Sequence, residues 1–404
     1  MGEILFLAHR IPFPPNRGDK IRSHHLLKAL ARLGPVHVGT FAETQEDGDH
    51  RSDLAEIAAS NHVADRTKPL VLAGVQAIIS GKPVSLAAFH DRGLQSWVEQ
   101  TLAAHPIDTV VIFSGQMGQY LPDSFDGRVI IDLCDVDSAK FEAYAEAGNM
   151  ALINAREGRL LAAEEERLAR RADVTTLISE NEAALLRSRI SPQAEADIRV
   201  FGNGVDTHFF DPAIDLAPTP FQQSGPNLVF TGQMDYAPNV AAVERFAQRV
   251  LPELAAKYDA HFHIVGRSPT DSVHELGKLP GVTVWGGVPD MRTFLGAATA
   301  VVAPLTIARG VQNKVLEAMA MARPVVLTEE AATGIPAKDG EHFLIARDDA
   351  AMVSKLQDLL EGHLDGRSIG ARARQFVASE MSWEAINEQV GTLVQPDGKN
   401  SRAA

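Results

Sequence analysis

Short uncharged apolar runs alternate with longer amphipathic segments along the whole chain. Runs of this kind are typical of strands covered on both faces, and segments with apolar residues at helical spacing are typical of surface helices. The alternation predicts an α/β fold with parallel sheets. The clearest predicted strands are residues 3–8, 36–41, 108–114 and 129–133 in the first half, and 227–231, 261–266, 300–304 and 325–328 in the second.

Each half of the chain opens with the same order of strand, glycine-containing loop and helix, around Gly18 and around Gly232. A chain of 404 residues also exceeds the ~250–300 residues at which single cores stop growing. We therefore predict two α/β domains. Residues 395–404 are expected to be a disordered polar tail.

Residues 300–328 read as strand, loop, helix and strand, with the helix predicted over 311–321 and Pro324 ending it. Arg309 and Lys314 flank the helix start, where free backbone N–H groups and the macrodipole favour anions. Gly310 permits close approach to the backbone, and Glu317 offers an acceptor one turn further in. These residues predict a phosphate site. They equally fit a surface helix with a few charges.

A second loop with candidate chemistry precedes the first helix and carries Arg17, Gly18, Asp19 and Lys20. An anion site at that helix start is one interpretation, and an ordinary turn is the other. The loop lacks the spacing of a dinucleotide-binding G-x-G-x-x-G motif.

Polar residues also follow two central strands, at Ser114 and at Asp132, Asp135 and Asp137. Ligands bind beyond the carboxyl ends of strands in open α/β sheets. Three interpretations stay open for the aspartates, namely acceptor contact, helix capping with loop hydrogen bonds, and a site for a hard cation. Cys134 is expected to fill the core. His261 and His263 are expected to be exposed strand residues, and no metal site is predicted.

Composition excludes several classes of protein. A formal net charge of -14 argues against a nucleic-acid binder, and the apolar runs are too short to span a bilayer. A single cysteine fits a reducing compartment. Because the N-terminus also lacks the pattern of a signal peptide, we expect a cytoplasmic protein.

The run KVLEAMAMARPVV resembles the EAMA-x-G-x-PVV signature of the family-four retaining glycosyltransferases of GT-B fold. The resemblance implies that Glu317 binds the nucleotide ribose and Lys314 the donor diphosphate. Two positions depart from the family pattern. Arg309 stands where the family has an earlier glutamate, and Ala322 lies where it prefers glycine.

Further landmarks extend the resemblance over almost the whole chain, including NGVD at 203–206, which marks the passage between domains in that family. It implies two facing Rossmann-like domains, residues 1–205 and 206–370, with a last helix of about residues 371–394 that crosses back to the first domain and is assigned to it. Arg309, Lys314 and Glu317 would position the donor and stabilise transition-state charge, with no enzyme nucleophile. The implied donor-binding residues are Gly18, Gly232, Gln233, Val288, Gly310, Val311 and Asn313, and the acceptor-side candidates are Arg17, Asp19, Lys20, Ser114, Asp135 and Asp137.

The family normally carries a basic residue soon after the second glycine loop, whereas residues 233–236 here hold no positive charge. We predict that Arg309 supplies that charge from the other loop.

The expected reaction is sugar transfer from a nucleotide sugar, as co-substrate without further cofactor, to an acceptor hydroxyl. RIPFPPNRGDK, DVDSAKF and FTGQMDYAPN are similar to a bacterial subgroup associated with exopolysaccharide assembly and PEP-CTERM sorting. That similarity implies a glycan or lipid-linked acceptor and peripheral contact with the inner membrane. Two alternatives remain, a degenerate nucleotide-sugar binding protein and a GT-B-fold nucleotide-sugar 2-epimerase.

Overall fold

The computed structural model describes residues 2–148, 150–191, 193, 195–222, 224–308 and 310–395. The chain divides into two compact units, Met1–Gly202 with Asn387–Ala404, and Asn203–Ile386. They are called the N-terminal unit and the C-terminal unit below. The boundary predicted from the sequence lay after residue 205.

The N-terminal unit is built on parallel strands joined by helices. Its strands are β1 (Glu3–Ala8), β2 (Val36–Ala42), β3 (Ser60–Asp65), β4 (Ile107–Phe113), β5 (Arg128–Cys134), β6 (Val174–Leu177) and β7 (Ile198–Val200). Its helices are α1 (Gly18–Leu33), α2 (Gln45–Asp49), α3 (Arg51–Ile57), α4 (Leu70–Ser80), α5 (Val84–Ala88), α6 (Arg92–Ala104), α7 (Asp137–Glu146), α8 (Ala151–Arg171) and α9 (Glu180–Arg189), with a 3₁₀ turn at Gly115–Tyr120. Among the described residues the sheet has seven strands in the order β3-β2-β1-β4-β5-β6-β7.

The C-terminal unit repeats this architecture. Its strands are β8 (Asn227–Thr231), β9 (His261–Val265), β10 (Val282–Gly286), β11 (Ala300–Ala303), β12 (Val325–Leu327) and β13 (Leu344–Ile345). Its helices are α10 (Ala237–Arg245), α11 (Leu251–Tyr258), α12 (Asp271–Leu276), α13 (Arg292–Ala297), α14 (Asn313–Ala320), α15 (Glu329–Ala332), α16 (Asp349–Leu360) and α17 (Gly366–Phe376), with π-helical turns at Phe246–Val250 and Val377–Met381. The last helix, α18 (Trp383–Val394), starts in this unit and continues into the N-terminal unit. In the described part of the chain the sheet order is β10-β9-β8-β11-β12-β13.

The apolar runs form the buried strands that the sequence predicted. β1 is buried from Ile4 to Ala8, and β8 is buried from Leu228 to Thr231. Every pairing in both sheets is parallel, so helices must cover both faces. The predicted α/β class with two Rossmann-like sheets is confirmed.

The strand order fixes where a ligand site belongs in each sheet. In the first sheet the chain runs outward from β1 to β3 and then returns to β4 on the other side of β1. In the second it runs from β8 to β10 and returns to β11 beside β8. Loops after the two central strands therefore diverge, leaving a crevice at their carboxyl ends. These switch points lie at β1/β4 and at β8/β11.

The C-terminal segment is two helices rather than the single helix expected over 371–394. Ser382 is extended, with ψ 155°, and its Oγ accepts a hydrogen bond from Ala385 N at 3.1 Å. The serine thus ends one helix and caps α18. From Asn387 onward α18 belongs to the N-terminal unit, where Arg128 Nε donates to Leu393 O at 2.7 Å.

The NGVD segment is held by packing inside the C-terminal unit. A Cβ on Gly204 would lie 2.8 Å from Trp383 N, and Trp383 is buried. Asp206 Oδ1 accepts hydrogen bonds from the backbone N–H groups of His208 and Phe209 at 3.1 and 2.8 Å. Gly204 is thus fixed by its packing on Trp383, and Asp206 caps the turn that follows it.

The expected exposure of His263 is wrong. Its side chain is fully buried and stacks on Phe221 with ring centroids 4.0 Å apart. Nε2 lies 2.8 Å from Asn227 Oδ1, and Nδ1 accepts from Trp285 Nε1 at 3.2 Å. Burial lowers the pKa of His263 to about 4. Partners distant in sequence satisfy both ring nitrogens, and alternation within one strand does not reveal them.

Candidate functional site

The start of α14 lies at the β8/β11 switch point, after the loop that follows β11. Its N-cap residue, Gln312, is extended and makes no side-chain capping bond. The side-chain Nε2 of Gln312 instead donates a hydrogen bond to Gly310 O at 3.1 Å. Because no side-chain cap from the described residues occupies the helix start, its N–H groups and partial positive charge are available for an anion.

Lys314 lies in the first turn of α14 and reaches across to the loop after β8. Its Nζ donates to Asn239 Oδ1 and lies 4.7 Å from the centre of the Phe230 ring. Asn239 in turn donates to Gln233 O at 2.8 Å. Burial lowers the pKa of Lys314 to about 8, against the opposing charge of Glu317. The ammonium therefore has a neutral partner and retains its charge near pH 7.

Glu317 lies one helical turn beyond Lys314. Burial raises the pKa of this carboxyl to about 7, and the Lys314 charge lowers it only in part. A half-buried glutamate whose pKa lies near 7 is an effective hydrogen-bond acceptor for hydroxyl groups once it is ionised. The structure brings Lys314 and Glu317 together, as the spacing of the motif predicted.

Gly232 ends β8 and makes room for Lys314. A Cβ at this position would lie 2.8 Å from Asn239 Nδ2 and 3.3 Å from Lys314 Cε, and its φ is +156°. The loop after β8 holds no basic residue, but Lys314 lies directly beside it. Among the described residues, Lys314 thus places a positive charge beside this loop, and the predicted contribution of Arg309 stays a prediction. Arg309 itself lies outside the described residues.

Two buried polar atoms at this end of the sheet lack protein partners. Within the described residues, Asn313 Oδ1 and Thr231 Oγ1 make no hydrogen bond. Buried polar atoms are nearly always satisfied in native structures. These two, at the start of α14 and the end of β8, are consistent with a site that a ligand or water completes.

The other predicted donor residues of this unit lie in nearby loops. Gly310 has φ +71°. Val311 is half-buried, with Cγ2 3.1 Å from where a Cβ on Gly334 would lie. Val288 is half-buried and packs against the core. Asp290, in the same loop, accepts from Arg292 N at 2.9 Å next to the start of α13.

In the N-terminal unit, the β1/β4 switch point contains His9, a residue that sequence analysis missed. Its ring stacks on Phe113 with centroids 5.6 Å apart, and its Nε2 lies 3.4 Å from Asp19 Oδ2. Burial lowers the pKa of His9, although the hydrogen bond with Asp19 raises it. Only its position at the end of a predicted strand could have indicated this residue.

Asp19 is the centre of an ion-pair cluster. Arg10 Nη1 lies 2.6 Å from Asp19 Oδ2, and Arg17 Nε lies 2.7 Å from Oδ1. Burial raises the pKa of Asp19, but its hydrogen bond with His9 and the charges of Arg10, His9 and Arg17 lower it far below the usual range. Arg17 is the more exposed partner and faces solvent.

Gly18 and Lys20 differ from what their loop predicted. Gly18 is the first residue of α1, and a Cβ there would meet nothing within 4 Å. Lys20 is buried, donates to Phe13 O at 3.0 Å and pairs with Asp47. Its pairing with Asp47, which lies far along the chain, was not visible in the sequence. Lys20 is therefore not the free acceptor-side cation that the sequence suggested.

Ser114 and Asp137 come together at the carboxyl ends of β4 and β5. Ser114 has φ +77°, and its Oγ bonds to Gln116 Oε1. Burial raises the pKa of Asp137, and the neighbouring Asp135 charge adds to that rise. Opposing contributions come from Lys140, His9 and a hydrogen bond with Gln116. Gln116 thus links Ser114 to Asp137, and the charge of His9 acts on Asp137; we call Ser114, Asp137 and His9 the polar cluster.

Asp132 is a structural residue rather than an exposed ligand. It accepts from Arg22 Nε at 2.8 Å and Nη2 at 3.1 Å, and Arg22 also donates to Phe201 O and Gly202 O. Cys134, next in this segment, is half-buried with φ +64°. Burial raises the pKa of its thiol well above the usual value.

A group of possible metal ligands lies at the opposite, amino-terminal end of the first sheet. Among the described residues, ligand atoms of Glu3, His37 and His105 lie within 4.8 Å of one another. Glu3 Oε2 lies 2.7 Å from His37 Nε2 and 3.1 Å from His105 Nδ1. These are hydrogen-bond distances. The two interactions lower the pKa of Glu3, and the hydrogen bond with His37 contributes most. The geometry is that of a hydrogen-bonded triad.

No helix in the described part of the chain is long and apolar enough to cross a membrane.

Comparison with known structures supports the fold. A sucrose-phosphate synthase from Thermosynechococcus elongatus has 18% identity and a TM-score of 0.67, over 97% of this chain and 98% of that one. Anabaena HepE in complex with UDP and glucose has 15% identity and a TM-score of 0.66, over 97% and 99%. WaaG, a glycosyltransferase involved in lipopolysaccharide biosynthesis, has 16% identity and a TM-score of 0.62, over 97% and 99%. The chain thus has the GT-B fold of such enzymes.

No curated protein matches the sequence significantly. Residues 225–362 match the family model described as "Glycosyl transferases group 1". The match contains β8, Gly232, Lys314 and Glu317, so the segment that carries the candidate anion site of the C-terminal unit is similar to glycosyl transferases of group 1.

Proposed function

We propose that the protein is a retaining glycosyltransferase that moves a sugar from a nucleotide-sugar donor to an acceptor hydroxyl. The observation that carries the proposal is Lys314 beside Gly232 at the uncapped start of α14, with Glu317 one turn away. The group 1 match of residues 225–362 supports it, as does the UDP and glucose complex of the similarly folded HepE.

The donor diphosphate binds at the start of α14 in this proposal. Lys314 and the first N–H groups of the helix meet its negative charge, which grows as the bond from the sugar to the phosphate breaks. The ammonium is already fixed by Asn239 and Phe230, so little reorganisation is needed when charge develops. Glu317, in its ionised form, accepts hydrogen bonds from the ribose hydroxyls.

Transfer with retention needs no enzyme nucleophile. The acceptor oxygen forms the new glycosidic bond on the face that the diphosphate leaves, and the leaving phosphate takes the acceptor proton. On the acceptor side we assign the polar cluster of Ser114, Asp137 and His9, together with Asp135, Arg17 and Asp19. His9 joins this set because it shares the switch point with the predicted residues.

The acceptor proposed from the subgroup resemblance is a growing glycan or a lipid-linked saccharide in exopolysaccharide or cell-surface glycan assembly of the PEP-CTERM-associated type. The protein would then work in the cytoplasm in peripheral contact with the inner membrane surface. Arg309 is proposed as a second phosphate ligand. If Arg309→Glu, which restores the family residue, leaves nucleoside diphosphate affinity unchanged, that assignment is rejected.

The rival is a nucleotide-sugar binding protein without turnover, and the missing family glutamate at residue 309 favours it. Incubation with radiolabelled nucleotide sugars separates the two. Transfer, or slow hydrolysis without acceptor, supports the transferase. Tight binding without either reaction supports the rival.

A further inference from the structure

Helix α4 is built with its apolar side outward. Its two buried residues are Ala73 and Ala77, which are small. The large side chains face solvent, with exposed fractions of 50% to 82% for Leu70, Val71, Leu72, Val75, Ile78 and Ile79. A helix that merely covers a core has the reverse arrangement, with its large apolar residues inward.

The first turn of α8 extends this surface. Arg156 Nη2 donates to Ala77 O at 2.9 Å and to Lys82 O at 3.3 Å, which ties α8 to the end of α4. Glu157 Oε2 accepts from Val84 N at 2.7 Å just beyond. The neighbouring residues Met150, Leu152 and Ile153 are 70%, 89% and 57% exposed. We call the exposed apolar residues of α4 and of 150–153 the apolar face.

We propose that the apolar face docks the protein on an anionic lipid bilayer, with α4 lying in the plane of the lipid surface. The proposal adds a surface to the peripheral membrane contact suggested under the proposed function. Its test below needs neither donor nor acceptor, so either proposal can fail alone.

Charge at the edge of the face selects lipid over a protein partner. α4 carries no charged residue. Lys82 follows it after Gly81, and Arg159 lies on α8 two turns from Leu152; both are exposed, as is one acidic residue, Glu146, four positions before Met150. Two basic residues at the edge of an uncharged apolar helix, on a chain of net charge -14, complement an anionic headgroup layer.

The few polar side chains of α4 also favour lipid over a protein partner. Protein interfaces combine an apolar centre with directional hydrogen bonds, but on α4 only Gln76 and Ser80 offer polar side chains. Gln76 is already bonded to Lys68 Nζ at 3.0 Å. The helix has 11 residues, about 16 Å at 1.5 Å per residue, roughly half the hydrocarbon thickness. A helix of this length can lie in the plane of the lipid–water interface but is too short to span the bilayer. Tyr144, 42% exposed on α7, suits the headgroup level.

The test is co-flotation of the full chain with large unilamellar vesicles of phosphatidylcholine, with and without phosphatidylglycerol. We expect binding to the mixed vesicles that weakens as salt is raised. A triple variant Leu72→Ser/Ile78→Ser/Ile79→Ser is expected to lower the bound fraction at least ten-fold. The matched control is Val200→Ser/Ile214→Ser/Leu279→Ser, three apolar residues exposed by 37% to 40% elsewhere, which is expected to bind as the wild type does. All six positions are exposed, so unfolding midpoints should stay unchanged.

The depth to which the apolar face enters the lipid is measured separately, with a polarity-sensitive dye attached to the cysteine of Ile79→Cys in a Cys134→Ser background. A blue shift of the dye on adding mixed vesicles supports insertion. The proposal is overturned if the wild type fails to float with the mixed vesicles, if the triple variant floats equally well, or if the dye stays in a polar environment. It is also overturned if light scattering shows a wild-type dimer that the triple variant abolishes, since a second copy would then be the occupant.

Discussion

Replacing Lys314 by methionine isolates the charge that the candidate site offers to a diphosphate. Methionine keeps the apolar contact with Phe230 and removes the ammonium that bonds to Asn239. A hydrogen bond to a charged group contributes about 1.5–3 kcal/mol, which corresponds to a loss of affinity of about 10- to 150-fold. We expect that loss at pH 7 for the nucleoside diphosphate that most stabilises the wild type among UDP, GDP and ADP.

Isothermal titration calorimetry measures the effect, with the matching nucleoside as a second ligand. Nucleoside affinity should change less than about two-fold, because the nucleoside lacks the phosphates. The matched control is Lys278→Met, which removes a lysine paired with Glu275 on the surface of the same unit and should leave both affinities unchanged. A diphosphate affinity within two-fold of the wild type, or an equal loss for the nucleoside, would refute the assignment of Lys314.

Four further predictions follow from the structure. Diphosphate affinity should fall above pH 8, because the bound anion raises the pKa of Lys314 above its free value of about 8; at pH 9 protonating the neutral amine costs about 1.4 kcal/mol. Nucleoside affinity should fall below pH 7, because ribose hydroxyls favour the ionised form of Glu317, whose free pKa is about 7; titrations of Glu317→Gln should lack this acidic limb. Gly232→Ala should lower diphosphate affinity measured by calorimetry, since the added Cβ would meet Asn239 and Lys314. Gly18→Ala has open space around the added Cβ and should keep wild-type stability in urea unfolding, so any loss of transfer in that variant reports a ligand contact. Ala322→Gly should raise the free energy of unfolding by up to about 1 kcal/mol in urea titrations, because Ala322 has φ +53°, where a Cβ costs about 1–2 kcal/mol. The added flexibility of glycine in the unfolded chain offsets part of that gain. A destabilised variant would contradict this prediction.

Sequence patterns predicted the parts of the fold that depend on local order. The strand predicted over 3–8 is β1, and the one over 227–231 is β8. The helix predicted over 311–321 is α14, shortened to Asn313–Ala320 because Gln312 is still extended. Apolar runs and helical spacing are local properties, so a single sequence carries them.

The pairings between distant residues were not predictable in the same way. Arg22 binds Asp132 across 110 positions, and Lys20 binds Asp47 across 27. These contacts turn two of the apparent site residues, Asp132 and Lys20, into structural ones. His263 was misjudged for the same reason, since its partners Asn227 and Trp285 come from neighbouring strands.

The anion site was predicted in part. The motif located Lys314 and Glu317 on one helix, but Asn239, which fixes the ammonium, carries no signal in the sequence. Lys314 also lies beside the Gly232 loop, where the sequence showed a gap in positive charge, and the prediction that Arg309 fills this gap concerns a residue outside the described part of the chain. Which side chain fills such a gap depends on three-dimensional packing of two loops separated by many residues.

The rate at which labelled sugar leaves a nucleotide-sugar donor tests the central claim most directly. The wild type should transfer or slowly hydrolyse at least one donor, while folded Lys314→Met and Glu317→Gln variants should lose nearly all of that rate and Lys278→Met should retain it. Near-normal rates in both site variants would contradict the site. Binding without any turnover in the wild type would contradict the activity.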